Sequence, residues 1–368
     1  MKLRSLIILF TALILSACAP AISQILPTDT PAAIQPPSTP TNEAVMDLFK
    51  KPLITNLYTA DPSAHVFDGK IYIYPSHDLD HKNPPPVDND GGQYDMTDYH
   101  VFSMDNLHTL PVDHGEVLNV KNVLWASQQM WAPDAAFKND TYFFYFPARD
   151  KDHIFRIGVA TSKSPAGPFT PQANYIQGSF SIDPCVFVDD DGQTYMIFGG
   201  LSGGQLEKWK TGQFDPTGKG PRSSEPALGP RIAKLTADML NFDGPAQEIS
   251  ILDKYKTPVL TSEEDKRFFE ASWLHKYNGV YYFSYSTGTT HQIAYATSDK
   301  PTGPFVFRGY LLKPVVGWTT HHSIVEFQGK WYLFYHDATL SGGIDYQRSI
   351  KVAELTYNAD GTLQTLDP

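Results

Sequence analysis

Three carboxylates, a tryptophan and a histidine stand at nearly one offset before five similar turns. Eight residues before Gly69 is Asp61, eight before Asn139 is Trp131, nine before Gly192 is Asp183, nine before Gly279 is Glu270, and eight before Gly329 is His321. Acids gathered at one place suit the cleavage of a glycosidic bond, which needs a proton donor for the leaving oxygen and a second carboxylate as nucleophile or as base for water. A third can hold the sugar and tune the acid, because like charges at short range push at least one pKa upward and keep a proton on it at neutral pH. Glu270 is the better acid candidate, since Arg267-Phe268-Phe269 before it and Ala271-Ser272-Trp273 after it form an apolar setting that disfavours its charge. Asp61 and Asp183 share an Asp-Pro step, and Pro biases the residue before it toward extended backbone, which suits the start of an inner strand. Taken singly, each Asp also reads as a turn former. These residues alone leave open which of the two is the base.

The elements that must position these groups are legible in the turns themselves. Phe67-Asp-Gly69-Lys-Ile-Tyr72, Phe137-Lys-Asn139-Asp-Thr-Tyr142, Asp191-Gly192-Gln-Thr-Tyr195, Tyr277-Asn-Gly279-Val-Tyr-Tyr282 and Phe327-Gln-Gly329-Lys-Trp-Tyr332 each predict a β-hairpin with Gly or Asn where φ is positive. Hairpin units that cannot bury their own faces point to a closed radial array, and five copies predict an all-β, five-bladed β-propeller. The first strand of each blade lines the central channel, so equivalent strand starts converge at one mouth. The turns are 70, 53, 87 and 50 residues apart, which places insertions at Asp78 to Asp98, a loop that could rim the channel, and at about Trp209 to Asp265, as edge strands and surface loops. Ser162 to Phe169 and Ser298 to Phe305 echo each other as outer parts of two blades, and helical periodicity is almost absent.

The first 45 residues are read as lying outside the fold. Lys2 and Arg4, an apolar run from Leu6 to Leu15, and Leu15-Ser16-Ala17-Cys18 form a signal peptide over 1–18 whose last four residues match the bacterial lipoprotein box. Cys18 would then carry lipid, and Ala19 in place of Asp would direct the protein to the outer membrane of a Gram-negative host, or it would simply be exported. Residues 19–45, rich in Pro, Thr, Ala and Ser, predict a flexible tether, and 46–368 a single catalytic domain. Only Cys185 remains after Cys18, read as a small buried hydrophobe, so no intramolecular disulfide is expected. A net charge of −11 argues against nucleic acid and against an anionic membrane surface as partners, leaving the lipid as the only membrane contact. Aromatic residues at 13% supply strand packing and faces on which sugars can stack.

Ala60-Asp61-Pro62-Ser63, Trp131-Ala-Pro-Asp134, Ser181-Ile-Asp183-Pro184, Phe269-Glu270-Ala271, His321-His322-Ser323 and Gln347-Arg348, in this order and at propeller spacing, resemble glycoside hydrolase family 43. The resemblance runs from about Leu53 to Pro368. It implies an inverting glycosidase with Asp61 as general base, Glu270 as general acid, and Asp183 as the carboxylate that orients that acid and raises its pKa. Trp131 would line the sugar pocket and Arg348 bind substrate near the base, with Asp134 and His322 completing the implied substrate-binding set. His321 resembles the channel histidine found beside a bound calcium ion, directly or through waters, although Thr320 stands where the family has Gly. Base and acid should be about 6.5–9.5 Å apart to admit water. The chain is most similar to compact exo-acting β-xylosidases, with xylo-oligosaccharides from xylan as substrate. α-L-Arabinofuranosidase and then arabinanase follow, and the loops Asp78 to Asp98 and Gly199 to Lys210 are expected to shape the subsites. A non-catalytic sugar-binding propeller is a further alternative, disfavoured because pure binding has no need of three uncompensated acids. The turns and arginine triad of sialidase propellers are not found.

Overall fold

The computed structural model describes residues 47–81 and 85–368. The predicted signal peptide, Cys18 and the tether lie outside the described residues. Within these limits the chain folds as five antiparallel sheets in sequence order. Blade I runs from the strand Tyr58–Phe67 to the strand Val112–Asn119, blade II from Ala126–Gln128 to Thr170–Pro171, and blade III from Cys185–Val188 to Gln247–Glu248. Blade IV spans Phe268–Tyr277 to Phe305–Leu312 and takes Ile251–Leu252 as an added parallel edge; blade V spans His322–Phe327 to Ser349–Leu355. The only helical pieces among the described residues are three short 3₁₀ turns.

Each predicted hairpin forms two adjacent strands of its blade; in blade II, Asp134–Lys138 and Thr141–Asp150 follow the short strand Ala126–Gln128, which also pairs with Thr141–Asp150. Four are closed by two-residue loops with both central residues at positive φ: Asp68-Gly69, Asn139-Asp140, Asn278-Gly279 and Gln328-Gly329. Such turns match the right-handed twist of the flanking strands. The third is longer, with Val188 paired to Thr194 and the intervening Asp189 amide bonded to Gln193 O.

Side chains tie the inner strands into a ring. Ser63 Oγ donates to Asp134 Oδ1 (2.5 Å), the Val186 amide donates to Asp134 Oδ2 (2.5 Å), and the Leu274 amide donates to Cys185 Sγ (3.3 Å). Trp273 Nε1 donates to Ile324 O (3.2 Å), and the Ala64 amide to Ser323 Oγ (3.0 Å), which completes the circuit from blade I back to blade I. Cys185 is buried there, as expected of a small hydrophobe.

The ring is also closed from the N-terminal side, by backbone pairing of the segment that leads into blade I. Blade V has three strands of its own, and its outer edge is covered by residues 48–53: Phe49 bridges Val352, and the Lys50 and Leu53 amides donate to Val352 O (2.9 Å) and Ile350 O (2.8 Å). Leu48, Leu53 and Ile54 are buried in a core shared by blades I and V with Ile71, Phe102, Phe334 and Val352.

Candidate active site

All five residues at the repeated offset, Asp61, Trp131, Asp183, Glu270 and His321, line one cavity of about 660 Å³, together with Arg348. The strand irregularities explain how their side chains reach it. Pairing of Tyr58–Phe67 with its neighbour skips from Ala60↔Ser76 to Ser63↔Tyr74, and Asp61 in this bulge has φ +50°. Asp183 has φ +54°, so neither Asp takes the extended backbone expected before Pro. For Asp61 the bulge is the physical reason: it frees the Asp61 amide from the ladder to donate to His336 Nδ1 (2.9 Å), and Pro62 has no amide to lose there; Asp183 lies ahead of the strand Cys185–Val188 rather than in it. A second bulge follows Glu270, where Ala271 has φ +63°. That left-handed conformation costs a Cβ-bearing residue roughly 1–2 kcal/mol, and here it aims the Ala271 amide at Asp183 Oδ2 (2.8 Å).

The three acids occupy opposed electrostatic settings. Asp61 Oδ1 accepts Arg348 Nη1 (2.9 Å) and Oδ2 accepts Ser76 Oγ (2.7 Å). Burial pushes the Asp61 carboxyl up, but the Arg348 guanidinium, together with smaller contributions from His336, His321 and the Ser76 hydroxyl, outweighs it and brings the pKa down to about 2. His336 Nδ1 also lies 3.3 Å from Asp61 Oδ1, yet it accepts the Asp61 amide while Nε2 faces Thr319 O (3.1 Å). His336 is therefore the neutral Nε2–H tautomer, in keeping with a pKa lowered by burial to about 3. Arg348 is held in turn by Asp78, through Nε to Oδ2 and Nη2 to Oδ1, both 2.8 Å, and its ring-facing side lies 5.0 Å from the Tyr94 centroid.

Glu270 and Asp183 are both raised, chiefly by burial and then by neighbouring carboxylates. They differ in one respect. The Ala271 amide stabilises the Asp183 anion, whereas the Glu270 carboxyl takes no hydrogen bond from the described residues and opens into the cavity. The proton of the pair therefore resides on Glu270, where it can be given away.

Trp131 forms one wall, fixed by its Nε1 bond to Tyr94 O (2.7 Å) and by Tyr99 OH on its own carbonyl (2.6 Å). The two expected loops contribute the rim: Val87 to Gly91 from one, Leu201 to Gly204 with Glu207 and Lys208 from the other. Two residues of the implied binding set are elsewhere. Asp134 is saturated by Ser63, His65 and the Ala135 and Val186 amides and serves the cross-blade ring. His322 is fully buried with Nε2 on Ser284 Oγ (2.6 Å). Neither lines the cavity, so both are corrected from substrate contacts to structural members. Each follows the motif residue by a step that turns it away from the mouth.

Sequence reasoning missed Ser76, Asp78, His336, Thr319 and the rim aromatics Phe269 and Trp318. A signal existed for two of these: seven residues after the turn, Gly69 leads to Ser76 and Gly329 to His336, the second-strand counterpart of the offset before the turn.

Residues 49–363 match the glycosyl hydrolases family 43. The chain belongs to that family. Among its relatives, xylosidase/arabinosidase 43A of Humicola insolens is 57% identical over 86% of this chain and 99% of its own length. A β-xylosidase of Xylanibacter ruminicola is 47% identical over 84% and 97%. The crystal structure of a family 43 β-xylosidase/α-arabinofuranosidase from a compost metagenome, in complex with xylotriose and in a calcium-free form, is 57% identical, with a TM-score of 0.85 over 88% of this chain and 98% of that one. A family 43 enzyme from Xanthomonas citri complexed with xylotriose is 52% identical, with a TM-score of 0.82 over 86% and 93%. This family 43 chain is thus a five-bladed glycoside hydrolase.

Calcium can be tested against His321. Its Nδ1 accepts the His322 amide (2.8 Å), so the neutral ring carries its proton on the buried Nε2, which has no partner among the described residues. An N–H is not a metal ligand, and calcium takes oxygen ligands. His321 fits beside a calcium ion only as a donor to that ion's water, and no step below passes through a metal.

Proposed function

We propose that this family 43 hydrolase is an inverting, exo-acting β-xylosidase that releases xylose from xylo-oligosaccharides. One observation carries the mechanism: two acids in a single cavity are biased in opposite directions, Asp61 toward its anion by Arg348 and Glu270 toward its protonated form by burial and Asp183. On this reading Asp61 takes a proton from the water attacking the anomeric carbon, while Glu270 protonates the departing oxygen on the other face. A carboxylate as acidic as Asp61 is a weak base for free water. Its contribution is to orient the nucleophile, whose proton becomes acidic as the oxocarbenium-like carbon draws on its electrons. Asp183 keeps the proton of the pair on Glu270, and Trp131 supplies an apolar face for the sugar ring.

The xylose preference draws on the relatives' names and on the xylotriose complexes. α-L-Arabinofuranosidase activity is the second reading, favoured by relatives named for both activities. The test is hydrolysis of aryl β-D-xyloside and α-L-arabinofuranoside by the wild type, Asp61→Asn and Glu270→Gln, with the product anomer followed by NMR. Xyloside turnover with inverted product, reduced about 10²–10⁴-fold in each variant, is expected. Turnover of the arabinofuranoside alone would install the second reading. Retained configuration would sink the assignment of Asp61, and binding without turnover of either substrate would leave a sugar-binding propeller.

Calcium, on this reading, sits in the channel near His321 and stiffens it; melting with and without a chelator checks this. We also propose lipidation at Cys18 and display from the cell envelope on the 19–45 tether, on the strength of the lipobox-like tetrad. Cys18→Ser should move the protein from the membrane fraction to the soluble one.

A further inference from the structure

Outside the cavity, blade I holds a second constellation that the glycosidase chemistry does not use. His77 is the next-to-last residue of the strand Lys70–Asp78, Asp98 and His100 lie at the start of the strand Asp98–Met104, and Asp113 comes from Val112–Asn119. One ligand atom from each of His77, Asp98 and His100 lies within 4.8 Å of the other two. His77 Nδ1 hydrogen-bonds both oxygens of Asp98 (3.1 and 3.0 Å) through a proton that an ion taking this nitrogen would displace, and His100 Nε2 is 3.7 Å from Asp98 Oδ2. None of the three lines the catalytic cavity.

The orientation of His100 separates this group from an ordinary hydrogen-bonded cluster. Its Nδ1 lies 3.0 and 3.2 Å from the two oxygens of Asp113 and so donates to that carboxylate. In the neutral ring this leaves the Nε2 lone pair facing an oxygen of Asp98, too far for a hydrogen bond and repulsive unless a cation stands between them. A carboxylate on the far nitrogen of an imidazole is the outer-shell arrangement that fixes a histidine ligand's tautomer. The side chains of His77 and His100 are 16% and 17% exposed, so an ion can enter. Ladder pairing between the two strands stops at Ile73↔Phe102; beyond it His77 stays paired to Thr59 and Asp98 to Asn119, and no backbone pair joins the two strands to each other.

We propose that His77, Asp98 and His100 form a binding site for a divalent transition cation of the Zn²⁺ class, with Asp113 as the outer-shell partner of His100. Two imidazoles and one carboxylate suit a borderline cation in tetrahedral coordination with water as the fourth ligand, and they disfavour Ca²⁺ or Mg²⁺, which require oxygen. The ion would pin the splayed strand ends. His77 is flanked by Ser76 and Asp78, which hold Asp61 and Arg348 respectively, so the site braces the base and its arginine from behind.

The test is calorimetric titration of the chelator-stripped intact protein with Zn²⁺, with Co²⁺ as a spectroscopic substitute and melting temperature as a second readout. Saturable binding of one Zn²⁺ per chain, a higher melting temperature and a visible Co²⁺ band of imidazole-ligated type are expected. His77→Ala and His100→Ala should abolish saturable binding, and Asp113→Asn should weaken it about 10–100-fold. Asp61→Asn and His321→Ala should bind as the wild type does, which separates this site from the catalytic mouth. Asp113→Asn keeps the fold-neutral shape should an alanine variant fail to fold. Absence of saturable Zn²⁺ binding, or binding unchanged in His77→Ala and His100→Ala, would mean that the cluster is held by protons instead and would overturn the proposal.

Discussion

Arg348 places one positive charge between two buried carboxylates, and the acid side of the reaction depends on it. Asp61 and Asp78 together accept four of its hydrogen bonds, counting its own amide on Asp78. With both neighbouring histidines held neutral by burial, no other formal positive charge faces Asp61 at neutral pH. The Asp61 pKa of about 2 lies below its ordinary 3.8, so its contribution to stability is complete above the ordinary value and is lost as pH falls through 2. Arg348→Met removes that opposition to burial and sends the Asp61 pKa above the ordinary range. The acid limb of the kcat/KM profile should then move to higher pH, and unfolding by urea at pH 7 should be easier by about 3–5 kcal/mol, the cost of unpairing a buried charge. An acid limb that stays in place would show that Arg348 does not set the ionisation of Asp61. On the alkaline side, activity should fall as the Asp183–Glu270 pair loses its last proton, above the usual carboxylate range because burial and mutual repulsion raise both.

At the scale of elements, regular strands carry the blades while their irregularities carry the chemistry. The two bulges turn Asp61 and the Ala271 amide toward the axis, and the loop following the strand Lys70–Asp78 carries the support for Trp131. Gly91 in that loop has φ +76°, and a Cβ there would stand 2.7 Å from Trp131 Cη2. The next turn of the same loop accepts Trp131 Nε1 at Tyr94 O, so the ring is gripped from two directions. Gly91→Ala should displace the ring without touching the acids. KM for xylo-oligosaccharides should rise about tenfold, equivalent to roughly 1.4 kcal/mol of binding, with kcat nearly unchanged. A fall in kcat at constant KM would instead make Trp131 a participant in the reaction rather than a wall of the pocket.

For the molecule as a whole, the ring is only as stable as its closure. The edge contributed by residues 48–53 completes blade V, and the Thr59 amide at the start of blade I donates to Arg348 O (2.9 Å), so blades I and V also meet beside Arg348. Leu53 is buried between blades I and V. Leu53→Ala should cost about 2–5 kcal/mol, read as a lower melting temperature, while turnover well below that temperature persists. Equal melting of variant and wild type would mean that the blades hold together without the clasp.

How far the sequence reached can be judged from particular residues. The five turns, the all-β class and the convergence of Asp61, Trp131, Asp183, Glu270 and His321 were legible, because a closed array of like units converts equal offsets along the chain into one circle in space. Local turn chemistry and the strand period of two are properties of neighbours in sequence, and they need no tertiary information. Asp134 and His322 were misplaced because both open regularly paired strands that send alternate residues to opposite sides, and the pattern of types does not record which side faces the mouth. The backbone of Asp61 departed from the Asp-Pro expectation because it lies in a bulge, and that of Asp183 because it stands ahead of the strand Cys185–Val188 rather than in it. Which acid holds the proton was decided only by the fold, through the Ala271 amide, Arg348 and the neutral histidines, since a pKa is set by burial and by charges a few ångströms away that arrive from every part of the chain.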